Sequence, residues 1–288
     1  MKSFSFTVAC AILFLCSINA DGQRTALSVA DTIISRTGNT HFTNTVDNFK
    51  AGDQQSEVKG IVVCMFVTME VLKKAVEMNC NLIIAHEPVY YNGPDDTKFL
   101  ESDQVYLDKK KYIDDHHLVI WRFHDYIHRM KPDGIVTGMI RKLGWQDNVV
   151  SGQQNKVKIP ETTLKELLKY LHKRFPGTTF NVVGDQNMKL TGIGFSAGAS
   201  GSRQHITMLE DPGVNVVIAG EVPQWETYEY VRDAVSQGKN KALILLGHIP
   251  SEEAGMEYAA EWIKGFIKDI PVYFVESGPS YWTYPGKK

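Results

Sequence analysis

The sequence has few cysteines, no excess of charge of either sign and no apolar run long enough to cross a bilayer. Of the four cysteines in 288 residues, Cys10 and Cys16 lie in the first twenty positions, leaving Cys64 and Cys80. Neither has the spacing of a metal knuckle. Cys64 sits inside the apolar run "IVVCMFV" and Cys80 just before another strand, which reads as two buried thiols, with a disulfide as the alternative. Lys and Arg number 31 against 33 Asp and Glu, a formal charge of −2, and no basic stripe is interleaved with aromatics. That balance gives no electrostatic footprint for nucleic acid or an anionic membrane. Low-complexity tracts and short-period repeats are absent too.

What is present begins with a leader. "MKSFSFTVACAILFLCSINA" carries one charge at Lys2, an apolar stretch from Phe6 to Leu15 and a small Ala20 before the polar "DGQRT". This is the layout of a cleaved secretory signal over residues 1–20, so the chain is expected to be exported, periplasmic or secreted. The apolar stretch is shorter than the roughly 20 residues a spanning helix needs, so no membrane association is expected once the signal is removed. Beyond the leader, 43% hydrophobic content is enough to bury one large core or two modest ones.

Strand and helix patterns alternate along the rest of the chain. "GIVVCMFVT", "MEVLKKAVEMN" and "NLIIAHEP" read as strand, amphipathic helix, strand, with Val71, Leu72, Ala75 and Val76 on one helical face. "LVIWRF" is a further strand, and a helix is expected from about Pro132–Gly134 to Gly144. The polar stretch from Asp147 to Pro160 reads as a loop and as the boundary between halves. After it come the helix "TTLKELLKYLHKRF", the strands "TTFNVVGD" and "KLTGIGF", and a second strand and helix alternation ending in "PVYFVES". The fold class is therefore α/β, two similar lobes of β-α-β units, 21–146 and 147–288, around a shared crevice.

Three strands run into histidine. His86 is followed by Glu87, His124 has His128 four residues on, and His248 has Glu252 four residues on. The C-terminal ends of parallel strands line the ligand crevice of an open α/β sheet. Imidazole nitrogens converging there with carboxylates suit a divalent transition metal, and Zn, Fe, Mn, Co and Ni are all compatible. Each pair alone is weak: Ser251 resembles an N-cap, which would place Glu252 in a first helical turn for its charge alone. Convergence of all three carries the inference. His41, His116, His117 and His172 lie in polar segments and read as solvated or structural.

The loop "GFSAGASGSRQH" has two functional readings. Ser196 matches a nucleophile elbow, with Asp211 or Asp233 and then His248 in the expected chain order, but the following glycines and serines interrupt the helix an elbow requires. Alternatively Ser196, Gly198 and Arg203 orient an anionic substrate group through backbone N–H groups and a guanidinium. Glu221 of "AGEV" is the candidate acid for proton handling.

From about Ala26 to Tyr284 the chain resembles the NGG-interacting-factor-three-like family of dinuclear-metal proteins, some members of which are called type-two GTP cyclohydrolase one. "VDNFKAGD" is similar to the family's N-terminal signature, "NLIIAHEP" to its strand ending in His-His-Pro, "GFSAGASGS" to its glycine-rich segment, and "GHIPSEEAGM" to its late His-x-x-x-Glu motif. The resemblance implies metal ligands at His86, Glu87, His124, His128, His248 and Glu252, one or two divalent ions, and a homo-oligomer in the form of a hexameric ring. Glu87 stands where the family has a second His, and His128 where it has an Asp. A neutral imidazole offers one lone pair and cannot bridge two cations, so either Glu87 and Glu252 bridge or the site holds one metal. The reading is an exported metal-dependent hydrolase-like protein acting on a small molecule, with a non-catalytic metal or ligand scaffold as the rival.

Overall fold

A computed structural model describes residues 24–39 and 42–283. The expected export signal and His41 lie outside the described residues.

The first half contains α1 (Ala26–Arg36), β1 (Phe49–Ala51), β2 (Ile61–Cys64), α2 (Met69–Glu77), β3 (Leu82–Ala85), α3 (Gln104–Asp115), β4 (Val119–Arg122), α4 (Asp125–Arg129) and α5 (Gly134–Leu143). Every residue of β2, β3 and β4 is buried, as continuous apolar runs covered on both faces must be. Alternate residues face two layers: Ile61, Val63, Leu82 and Ile84 pack with α1, while Val62, Ile83 and Ile120 pack with Val71 and Leu72 of α2. Side-chain caps open the helices, Thr68 for α2 and Asp133 for α5, and Gly144 at φ 70° closes α5.

The second half contains β5 (Val149–Val150), β6 (Gln153–Thr163), α6 (Leu164–Arg174), β7 (Asn181–Val183), β8 (Lys189–Ser196), α7 (Ser202–Glu210), β9 (Val216–Ala219), α8 (Glu229–Ser236), β10 (Ala242–Leu245), α9 (His248–Lys264) and β11 (Val272–Phe274). The two sheets have the orders β1-β4-β3-β2-β11 and β5-β6-β8-β9-β10-β7. Strands β4, β3, β2 and β11 run parallel, as do β8, β9 and β10.

Two expectations are corrected here. The stretch Asp147–Pro160 is not a loop: it supplies β5 and most of β6, which pair antiparallel. Its polarity reflects a largely solvated strand, since Val157 alone of the β6 residues is buried. Nor does the final strand remain with the second lobe, as a boundary at 147 requires. Strand β11 returns to pair with β2, Val272 opposite Ile61 and Phe274 opposite Val63. Helices α5 and α9 consequently feed both cores, Ile135 and Met256 the first, Val136 and Ala254 the second. Their backbones approach through glycine: a Cβ on Gly138 would lie 2.2 Å from the Ala254 carbonyl oxygen, and one on Gly255 2.5 Å from the Ile135 Cα.

Candidate metal centre

Neighbouring parallel strands bring the first candidate ligands together. His86 follows β3 and His124 follows β4, and their rings stack with centroids 4.6 Å apart. One turn of α4 places His128 over the same spot, 4.9 Å from His124 and 5.1 Å from His86. His248 and Glu252 occupy successive turns at the start of α9, which enters from β10 through Gly247 at φ 99°. Ser251 is thus not an N-cap. It sits inside the first turn, donating to the His248 carbonyl at 2.7 Å and accepting from Gly198 N at 3.0 Å, which ties α9 to the glycine-rich loop.

The imidazoles share one orientation. Each presents Nδ1 outward to an oxygen acceptor: His86 to the Phe123 carbonyl at 3.2 Å, His124 to Asp125 Oδ1 at 3.0 Å, His128 to Asp133 Oδ2 at 3.0 Å and His248 to Glu221 Oε1 at 2.7 Å. A carbonyl or carboxylate can only accept, so Nδ1 carries the proton and Nε2 is turned inward. There the Nε2 atoms meet two carboxylates. Glu252 lies 3.1 Å from His248, 3.6 Å from His86 and 3.8 Å from His128, and Glu87 lies 3.1 Å from His248 and 3.9 Å from His124. The ligand atoms of His86, His124 and His128, and those of His86, Glu87 and Glu252, lie within 4.8 Å of one another.

The donor set fits a divalent transition metal. His86 Nε2 is buried with no hydrogen-bond partner among the described residues, a lone pair that a cation would satisfy. Outward Nδ1 partners are how metal-binding imidazoles are held in place. Burial opposes a charge on His248, yet hydrogen bonds to Glu252 and Glu87 push its imidazole up to about 11, so a proton on Nε2 serves both carboxylates. Burial also opposes ionisation of Glu87 and Glu252, but the facing imidazoles hold both carboxyls below their usual range. His124 is pushed down to about 4, by burial first and then by the charge of His86, which keeps it neutral and available as a donor.

Glu87 is not placed to bridge. Its Oε1 faces His248 and His124, whereas Oε2 faces the Arg122 guanidinium at 3.5 Å. Glu252 directs Oε1 toward His128 and Oε2 toward His86 and His248, the arrangement a bridging carboxylate needs.

The centre opens into a cavity of about 580 Å³, walled by Met130, Val136 and Phe195, with Lys131, Asn155, Ser200 and Gln204 as polar lining. Arg203, expected to orient substrate, is exposed and outside this lining, because successive helical residues diverge by about 100° and the helix presents Gln204 instead. Ser196 is buried and bonded to Ser200 Oγ, so no elbow exposes it. Gly198 is a packing position: at φ +59°, a Cβ there would lie 2.5 Å from Glu252 Oε1. His116, His117 and His172 are exposed, and Cys64 and Cys80 are buried free thiols.

Sequence reasoning missed the supports. Asp47, buried within "VDNFKAGD", accepts from the N–H groups of His124, Asp125 and Tyr126 at 2.8–2.9 Å and so fixes the start of α4. Asp133 caps α5 through Oδ1 while Oδ2 holds His128; its place before Gly134 was the available signal. His205, fully buried, joins Ser200 Oγ at 3.4 Å to Thr227 Oγ1 at 3.3 Å.

Residues 31–279 match the family model described as Duf34/NIF3 (NGG1p interacting factor 3). A Clostridium acetobutylicum protein named GTP cyclohydrolase 1 type 2 homolog is 24% identical over 232 residues, 77% of this chain and 82% of its own. Among solved structures, a Bacillus cereus protein related to NIF3 superposes with a TM-score of 0.69 at 13% identity, covering 92% of this chain and 100% of its own. A Staphylococcus aureus hypothetical protein gives 0.68 at 16% identity, covering 90% and 97%. At these identities the structural matches speak for the fold.

Proposed function

The chain belongs to the Duf34/NIF3 family, and from that premise we propose that it is a metal-dependent hydrolase acting on a small molecule, exported and assembled as a homo-oligomer. The observation that carries the metal reading is the common orientation of four imidazoles, every Nδ1 engaged and every Nε2 turned toward Glu87 and Glu252. His86, His124, His128 and His248, with Glu87 and Glu252, would hold one or two divalent ions. A divalent ion in such a site supplies Lewis acidity and lowers the pKa of a bound water toward neutrality.

The protein's own groups do the rest. Asp125, Asp133 and Glu221 keep the imidazole tautomers fixed so that Nε2 remains the donor. Glu221, read from sequence as the proton-handling acid, is engaged with His248 Nδ1, and its proposed role becomes that of an orienting carboxylate. Met130, Val136 and Phe195 offer an apolar wall for the body of a substrate, Asn155 and Gln204 amide groups for its polar edge, and Lys131 a single cation for an anionic substituent. Amide or phosphoester cleavage and the opening of a heterocycle all suit such a cavity.

A scaffold without turnover is the second reading, favoured by one observation: Glu87, Glu221 and Glu252 each already have an imidazole partner, which leaves none of them free to move protons. Metal analysis of protein purified from its native compartment, followed by a panel of phosphoesters, amides and purine nucleotides with added Mn, Fe, Zn or Co, separates the two. Turnover that depends on metal supports the hydrolase; bound metal with no turnover across the panel supports the scaffold. Export rests on residues 1–20, and an intact Met1 on protein from the native host would refute it.

A further inference from the structure

Arg122 is an unusual residue for the middle of a parallel sheet. It ends β4, is 4% exposed, and has carboxylates on two sides. Its Nη2 lies 3.5 Å from Glu87 Oε2 and its Nη1 3.7 Å from Asp95 Oδ2, while Nε donates to the His86 carbonyl at 3.2 Å and Nη1 to the Gly93 carbonyl at 2.6 Å. Asp95 is itself fixed, accepting from Val89 N and Tyr90 N at 2.7 and 2.8 Å and pairing with Lys50 at 3.3 Å. A buried string of alternating charge, Lys50, Asp95, Arg122, Glu87, therefore runs from β1 to the metal centre and is neutral in sum.

We propose that Arg122 is a positioning residue that holds Glu87 as a one-oxygen ligand. The guanidinium pairs with Oε2, so Glu87 turns Oε1 to the centre, one donor atom as an imidazole would. A buried carboxylate needs such a partner, since burial opposes its charge and the alternative is an uncompensated anion. Arg122 also bonds the backbone on either side of Glu87, at His86 and Gly93, which fixes the side chain's point of departure. The number of oxygens available at position 87 is thus set by a residue that does not itself face the metal ligands' nitrogens. Glu252, with Oε1 toward His128 and Oε2 toward His86 and His248, would be the carboxylate able to offer both oxygens.

This inference rests on the metal reading of the site, and the experiment separates the two. Co2+ is titrated into metal-stripped full-length protein, with affinity and stoichiometry read by calorimetry and coordination by visible absorption. Wild type that fails to bind Co2+ overturns both. Arg122→Gln keeps an amide donor for a backbone carbonyl but no cation for Glu87, releasing Oε2. Co2+ should then bind roughly tenfold tighter, a coupling of the size neighbouring groups show, and its visible bands should weaken as the coordination number rises. In the Glu87→His background the same substitution should change neither. Weaker binding in Arg122→Gln, no change, or an equal change in both backgrounds would overturn the proposal, because a merely structural arginine acts alike whatever residue stands at 87. Should Arg122→Gln fail to fold, Arg122→Met, which keeps much of the side chain's length and removes the cation, is read in the same way.

Discussion

Gly198→Ala tests how closely the glycine-rich loop defines the metal centre. Gly198 has φ +59°, where an L side chain costs about 1–2 kcal/mol. Its new Cβ would stand 2.5 Å from Glu252 Oε1, 2.8 Å from Cδ and 3.0 Å from Oε2. Ordinary contact requires the carboxylate to retreat by roughly 1 Å. Glu252 is 3% exposed and lies between His248 and His86, so retreat breaks the bond from His248, a charge-assisted interaction of about 1.5–3 kcal/mol. Together these predict a loss of roughly 2.5–5 kcal/mol, measured by urea unfolding of the metal-stripped protein. Bound metal should fall as well. Gly152 is the control, because at φ +74° it has nothing within 4 Å of an added Cβ. Gly152→Ala should lose only that backbone cost, about 1–2 kcal/mol, and keep its metal. Equal losses in the two variants, with metal retained in both, would refute the argument that Gly198 leaves space for Glu252's carboxylate.

Three further outcomes are expected. Alanine at His86, His124 or His248 should lower bound metal strongly while His172→Ala does not, and equal metal content in all four would remove the site. Asp47→Ala takes a buried acceptor from three N–H groups at the start of α4 and should cost about 2 kcal/mol in denaturant unfolding, with weaker metal binding through a displaced His124; unchanged binding would argue against that coupling. Lys109 is 5% exposed, donates to the Val89 carbonyl, and is pushed down to about 8 by burial, so its charge destabilises the fold fully below pH 8 and progressively less up to its unfolded value near 10.5. Wild-type stability relative to Lys109→Met should therefore rise by ~3 kcal/mol between pH 8 and 10.5, and a pH-independent difference would contradict the assignment.

What the sequence made legible was local. Strands β3 and β4 could be read because both faces are buried, every position but Arg122 is apolar and a histidine stands within two residues of each strand's end, so burial and site coincide in one short window. The pairs His124 with His128 and His248 with Glu252 were legible for the same reason, being one helical turn apart. Residues that act across the chain were not. Asp47 reaches His124 over 77 positions, and nothing in "VDNFKAGD" distinguishes a helix-capping aspartate from a turn residue. Arg122 was hidden inside a strand pattern, where one cation among apolar neighbours looks like a strand end. Strand β6 was hidden by its polarity, since a strand with one buried residue, Val157, lacks the alternation that would mark it.

The return of β11 explains why the centre holds residues from both halves in register. His86, Glu87 and His124 follow first-sheet strands and His128 lies on the short α4 beyond β4, while His248 and Glu252 begin a helix that leaves the second sheet at β10. If that helix ended in its own sheet, the separation between the two ligand sets would depend only on contact between lobes. Instead α9 runs directly into β11, whose pairing with β2 anchors the helix's far end to the strand next to β3. Gly138 and Gly255 then set how near α9 lies to α5, the helix whose capping Asp133 holds His128. A side chain at either glycine would push Glu252 and His128 apart by moving the helices that carry and cap them. The geometry of the six candidate ligands is thus fixed by strand pairing at one end of α9, by Ser251 and Gly198 at the other, and by a glycine contact between. It is a property of the whole two-sheet fold, and neither lobe alone could hold it.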